Sequence, residues 1–98
     1  LKRKIHYQKE KRLLGLKKHN HAERSRFLKK SVVPMLRREL GKNLGAIAVD
    51  GSYARREDKG FSDLELMIFV RESAKIPRGF SKTYDGLLIE EEHRISNS

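Results

Sequence analysis

Two short apolar runs, Gly45 to Asp50 and Leu64 to Val70, stand on either side of one polar stretch, and their length constrains the fold. Runs this short, rich in Ala, Ile, Val and Leu and bounded by glycine or charge, match buried strands; a helix burying one face needs more residues. A third extended region follows, in which Asp85-Gly86 separates Ser81-Lys82-Thr83-Tyr84 from Leu87-Leu88-Ile89-Glu90, the two-residue signature of a β-hairpin. Upstream, Asn20 and Glu23 form a capping-box pattern, and Phe27, Leu28, Val32, Met35, Leu36 and Leu40 recur at helical spacing on one face. Pro34 predicts a kink or break near Val33, and Gly41 a C-terminal stop. A single helical turn is expected from Ser52, then a solvated loop over Arg56-Glu57-Asp58-Lys59-Gly60; Glu72 to Phe80, with Pro77 and Gly79, reads as a second loop. The expected class is α+β, a small mixed β-sheet packed by helices.

At 98 residues the chain makes at most one small domain, and chains this short bury only about two-thirds of their unfolded surface. Its first residue is Leu, and it ends on Arg94-Ile95-Ser96-Asn97-Ser98, so a portion of a longer protein is expected. The absence of cysteine excludes disulfides and thiolate zinc sites. No apolar run approaches the roughly 18 residues of a membrane span, and no signal-peptide pattern is present, so a cytoplasmic location is the default expectation.

The net charge of +10 is unevenly placed. Residues 1–43 carry 15 Lys or Arg against three Glu, whereas residues 44–98 carry 8 Lys or Arg against 10 Asp or Glu. Residues 1–19 therefore read as a basic arm or helix, and residues 20–98 as a separate, folded core with a slightly acidic C-terminal part. Such an arm is either a solvated charged face or a contact for RNA phosphates.

The loop between the apolar runs carries the chemistry. Gly51-Ser52 opens it and Asp63-Leu64-Glu65 closes it. Side chains at i and i+2 of a strand project from one face, so Asp63 and Glu65 point together and can share a divalent cation. Gly51 lets backbone approach a phosphate, the Ser52 hydroxyl can donate to it, and Arg55 follows one turn on. Phosphate donors beside paired carboxylates are the layout that phosphoryl or nucleotidyl transfer needs. Tyr53 is read as packing against the helix, His19 and His21 as solvated residues flanking the cap, and His93 as a strand-end residue outside the site.

Gly51-Ser52, ten residues, then Asp63-Leu64-Glu65-Leu66 resembles the signature of the DNA polymerase beta-type nucleotidyltransferase superfamily, a glycine-serine turn followed by an acidic-x-acidic strand. Within it, Gly51-Ser52-Tyr53-Ala54-Arg55 and Ser62-Asp63-Leu64-Glu65 are most similar to the kanamycin (aminoglycoside) nucleotidyltransferase branch and to minimal nucleotidyltransferases, over about Ala22 to Glu92. The resemblance implies a nucleotidyltransferase core, here incomplete at its C-terminus. It implies Mg2+, two ions, held by Asp63, Glu65 and a third carboxylate among Glu90, Glu91 and Glu92, with Glu90 selected by the family's apolar-acidic step at Ile89-Glu90. It also implies that Gly51, Ser52 and Arg55 bind the triphosphate of ATP or another nucleotide. The reaction implied is attack of an acceptor hydroxyl on the alpha-phosphate, with pyrophosphate leaving.

Two departures stand beside that resemblance. In the kanamycin-type enzymes the acceptor site and general base come from residues beyond the hairpin, and nothing in the family accounts for the basic arm. A small-molecule acceptor of the aminoglycoside type fits the acidity of the site. The competing expectations are a minimal nucleotidyltransferase acting on RNA or a partner protein, with residues 1–19 on RNA, and a non-catalytic RNA-binding module working through the arm.

Overall fold

The computed structural model describes residues 15–71 and 79–95. Most of the basic arm and most of the predicted 72–80 loop lie outside the described residues. The order is α1 (His21–Phe27), a π-helical segment (Leu28–Val32), α2 (Val33–Leu40), a 3-10 turn (Gly41–Asn43), β1 (Leu44–Asp50), α3 (Gly51–Ala54), β2 (Leu64–Val70), β3 (Gly79–Tyr84) and β4 (Leu87–Ile95). The chain is a small α+β domain with a four-stranded mixed sheet.

The cap forms as expected: the Glu23 amide donates to Asn20 Oδ1 at 2.8 Å and the Asn20 amide to Glu23 Oε1 at 2.9 Å. Near Val33, where a kink or break is expected, the helix runs on but changes type, from the π segment ending at Val32 to α2 beginning at Val33. Arg24, Leu28, Val32, Leu36 and Leu40 recur every four residues, a spacing at which an ideal α-helix rotates its stripe by about 40° per step. The π segment, in which the Val33 amide reaches Leu28 O, widens the turn and keeps that stripe on the sheet. It also sets the Pro34 ring, which would clash with the carbonyl four residues back, in the first turn of α2.

The sheet order is β1-β2-β4-β3. β2 pairs antiparallel with β1 and parallel with β4, and β4 pairs antiparallel with β3. Leu64, Leu66, Ile68 and Val70 of β2 join Leu87 and Ile89 of β4, Val32 and Leu36 in one buried core, with Phe27, Leu28, Leu40, Ile47 and Tyr53 packed against it. β2 is thus buried on one face only: Glu65, Met67 and Phe69 are half-buried on the other. β1 departs further from expectation, being an edge strand with Ala46, Ala48, Val49 and Asp50 exposed. At the hairpin, Asp85 and Gly86 both take positive φ, 47° and 76°, as a two-residue turn requires. No helix among the described residues is long and apolar enough to cross a membrane.

Candidate functional site

Strand pairing aligns carboxylates across three strands. Asp50 at the end of β1 is the cross-strand partner of Glu65 in β2, and Glu65 is the partner of Glu90 in β4. Alternation puts this row on the face turned away from the helices. Asp63, two residues before Glu65, joins it: one carboxylate oxygen each from Asp63, Glu65 and Glu90 lie within 4.8 Å of one another. Burial first, then the charges of Asp63, Glu90 and Asp50, hold the Glu65 carboxyl above its ordinary value, with Arg55 opposing them. Like charges gathered this closely raise one another's carboxyls, a repulsion that a bound cation relieves.

The other two glutamates of the triplet go elsewhere. Glu92 is exposed and pairs with Arg94 at 3.0 Å. Glu91 falls by alternation on the apolar face of β4, with Leu87 and Ile89. It stays there, buried, and its Oε1 meets His93 Nε2 at 3.1 Å.

Gly51 stands at φ +68°, and a Cβ at this position would overlap Glu65 Oε2 and come within 2.7 Å of Glu65 Cδ. Its missing side chain is therefore what admits the Glu65 carboxylate. The Gly51 amide is taken by Asp50 Oδ1 at 2.8 Å, so Asp50 caps the turn that it precedes. Ser52 is the next residue of α3 and is half-buried. Arg55 lies outside, its Nε 3.3 Å from Glu57 Oε1.

Behind the site is a cross-link that the sequence reading missed. Arg24, fully buried, donates from Nη1 to Asp58 Oδ2 at 2.8 Å, from Nη2 to Gly60 O at 2.9 Å and from Nε to Ser62 O at 3.1 Å. The side chain of Asp58, expected in a solvated loop, is only 1% exposed. Its other oxygen meets His21 Nδ1 at 2.7 Å. His21 in turn stacks on Tyr53 at 4.6 Å, and the Tyr53 hydroxyl shares a hydrogen bond with Ser25 Oγ at 2.6 Å. His19 is half-buried, its amide bonded to Gly60 O at 2.8 Å, so neither histidine is simply solvated. Although burial alone would raise Asp58, the His21 hydrogen bond, a backbone amide and the charges of His21 and Arg24 hold it below its ordinary value. This network fixes 58–62, the segment that delivers Asp63, against α1 and α3. An Arg at a core position of the helical stripe, four residues before Leu28, was the available signal.

A cavity of about 410 Å³ opens over the carboxylates, lined by Asp50, Glu65, Met67, Ser81, Glu90 and Glu92 among others. No family model matches the chain, and no curated protein matches it significantly.

Proposed function

We propose that this chain is a magnesium-dependent nucleotidyltransferase domain of the polymerase beta type, transferring a nucleoside monophosphate from a nucleoside triphosphate to an acceptor hydroxyl. The observation that carries the reading is the convergence of Asp63, Glu65 and Glu90 beside the Gly51-Ser52 turn. Hard carboxylate oxygens this close together fit Mg2+, which takes one or two carboxylates together with substrate phosphate oxygens. Asp63, Glu65 and Glu90 would hold the metal, and when bound it supplies charge neutralisation on the transferring phosphoryl group.

The chain's own groups do the rest. Ser52 donates from its hydroxyl to a phosphate oxygen, while Gly51 contributes by having no side chain, since Asp50 already occupies its amide. Arg55, exchanging Glu57 for a phosphate, adds a charge-assisted contact. In the reaction a bond forms from the acceptor oxygen to the alpha phosphorus as the bond to the pyrophosphate oxygen breaks. The acceptor's proton passes to a base that the family resemblance puts beyond the β3–β4 hairpin. An acceptor of the polycationic small-molecule class is drawn to a cavity lined by Asp50, Glu65, Glu90 and Glu92.

Isothermal titration with ATP and Mg2+ tests the proposal. Binding should require the metal and vanish in Asp63→Asn with Glu65→Gln; undiminished binding by that double variant would sink the reading.

A further inference from the structure

The helical layer on the opposite face of the sheet has the reverse electrostatics. Arg26, Lys29, Lys30, Arg37 and Arg38 are all exposed there. Among the described residues none of them is held in an ion pair. Arg26 and Lys30 are one turn apart and border a groove of about 270 Å³ between the helices and the β3–β4 hairpin. Phe27 and Ser31 line it from the helical side, Tyr84 and Leu87 from the hairpin. The Phe27 and Tyr84 rings, both half-buried, sit 5.9 Å apart at 47°. Cations with no ion-pair partner among the described residues, flanking half-buried aromatic rings, combine backbone attraction with base stacking, the chemistry of single-strand recognition. A duplex keeps its base faces stacked inside and offers none to such rings.

We propose that this groove and the Arg26–Lys30 face beside it bind single-stranded RNA. Phosphates meet Arg26 and Lys30, and a base enters against Tyr84 and Phe27. Ribose is specified by the acidic part of the lining: Glu23 and Asp85 also border the groove. One oxygen of each is engaged, Glu23 Oε1 by the Asn20 amide at 2.9 Å and Asp85 Oδ1 by Lys17 Nζ at 3.4 Å, and the second oxygen of each can accept from a 2′-hydroxyl, a donor that deoxyribose lacks. The surface is independent of the nucleotidyltransferase reading, because Asp63, Glu65 and Glu90 lie across the sheet from it.

The test is fluorescence anisotropy of the full chain with 5′-labelled rU12 at 50 to 200 mM KCl. Any contribution from residues 1–14 is common to all variants and cancels in the comparison. Single-strand binding loses about 0.7 in logarithmic salt slope for each phosphate contact removed. Arg26→Gln with Lys30→Gln should therefore flatten the slope by about 1.4, so that affinity falls roughly sevenfold less across that salt range than in the unaltered chain. Tyr84→Leu, which keeps apolar bulk but no ring, should weaken binding about 5- to 150-fold. Asp63→Asn with Glu65→Gln should leave rU12 binding intact, whatever becomes of nucleotide binding. An unchanged slope in the Arg26/Lys30 variant, or wild-type affinity in Tyr84→Leu, would overturn the proposal; equal affinity for dT12 would overturn the assignment to RNA.

Discussion

Gly51→Ala separates a site requirement from a folding requirement at one position. Two things oppose a methyl group there: the backbone φ of +68° and the Glu65 carboxylate lying where the Cβ would go. The first costs about 1–2 kcal/mol for an L-residue, lowering the melting temperature by roughly 4–16 °C in a domain of this size. The second is relieved cheaply, because the obstructing atoms are the far end of a flexible side chain and Glu65 can swing away. The fold should therefore survive while the site does not. With one of its three carboxylates displaced, cation affinity should fall about tenfold or more. Mn2+ titration below the melting transition reads that loss, and the Glu65→Ala background separates the two contributions. In Glu65→Ala the clash partner is gone, so adding Gly51→Ala should cost stability but no further affinity. Wild-type Mn2+ affinity in Gly51→Ala, or an equal affinity loss in both backgrounds, would refute the claim that Gly51 exists to admit Glu65.

Four other outcomes are expected. Asp58→Ala strands the buried Arg24 charge and should cost about 3–5 kcal/mol in urea unfolding; a loss under about 1 kcal/mol would mean that the Arg24 network is replaceable. Because the Asp58 carboxyl is held below its ordinary 3.8, the unfolded chain protonates first, so its contribution is complete above that value and is lost as pH falls through the native one. The stability gap between wild type and Asp58→Ala should accordingly narrow below about pH 4. Glu65→Gln removes one charge from a group of like charges, so the metal-free protein should melt a few degrees higher; a lower melting temperature would show that repulsion is unimportant there. Mg2+ at about 100 times its dissociation constant should stabilise wild type by about 2.7 kcal/mol, and thermal melts should show little of that shift in Asp63→Asn with Glu65→Gln.

What could be read from the sequence was whatever depends on neighbours in the chain. The Asn20–Glu23 box, the Gly41 stop and the Asp85-Gly86 turn are each decided within a few residues, and each stands where expected. Strand order is not local. Nothing between Val70 and Leu87 announces that β4 inserts beside β2 and pushes β3 to the edge, yet that parallel pairing is what sets Glu90 against Glu65. The apolar composition of Gly45 to Asp50 promised burial, but burial is conferred by neighbours on both sides, and among the described residues β1 has one neighbouring strand. Asp58 illustrates the same limit from the polar side. Within Arg56 to Gly60 it is indistinguishable from a solvated carboxylate, and it becomes buried only because Arg24, 34 residues earlier, points inward from a helix.

The division of charge also changes meaning once it is folded. Along the chain it separates a basic beginning from a slightly acidic remainder, as if arm and site were merely consecutive. In the folded domain the sheet stands between the exposed helical cations and the carboxylate row. Arg26, Lys29, Lys30, Arg37 and Arg38 lie on the helical side, while Asp50, Glu65 and Glu90 lie on the other, with Leu64, Leu66, Ile68 and Ile89 in the core between the carboxylate row and the helices. Opposite fields kept apart by an apolar layer do not neutralise each other as they would side by side in water. The two proposed ligands, a cation with its phosphates on one face and a polyanion on the other, would therefore be bound separately. A substitution on one face should leave binding at the other nearly unchanged, and double-variant cycles between Lys30 and Glu65 should show coupling below about 0.5 kcal/mol.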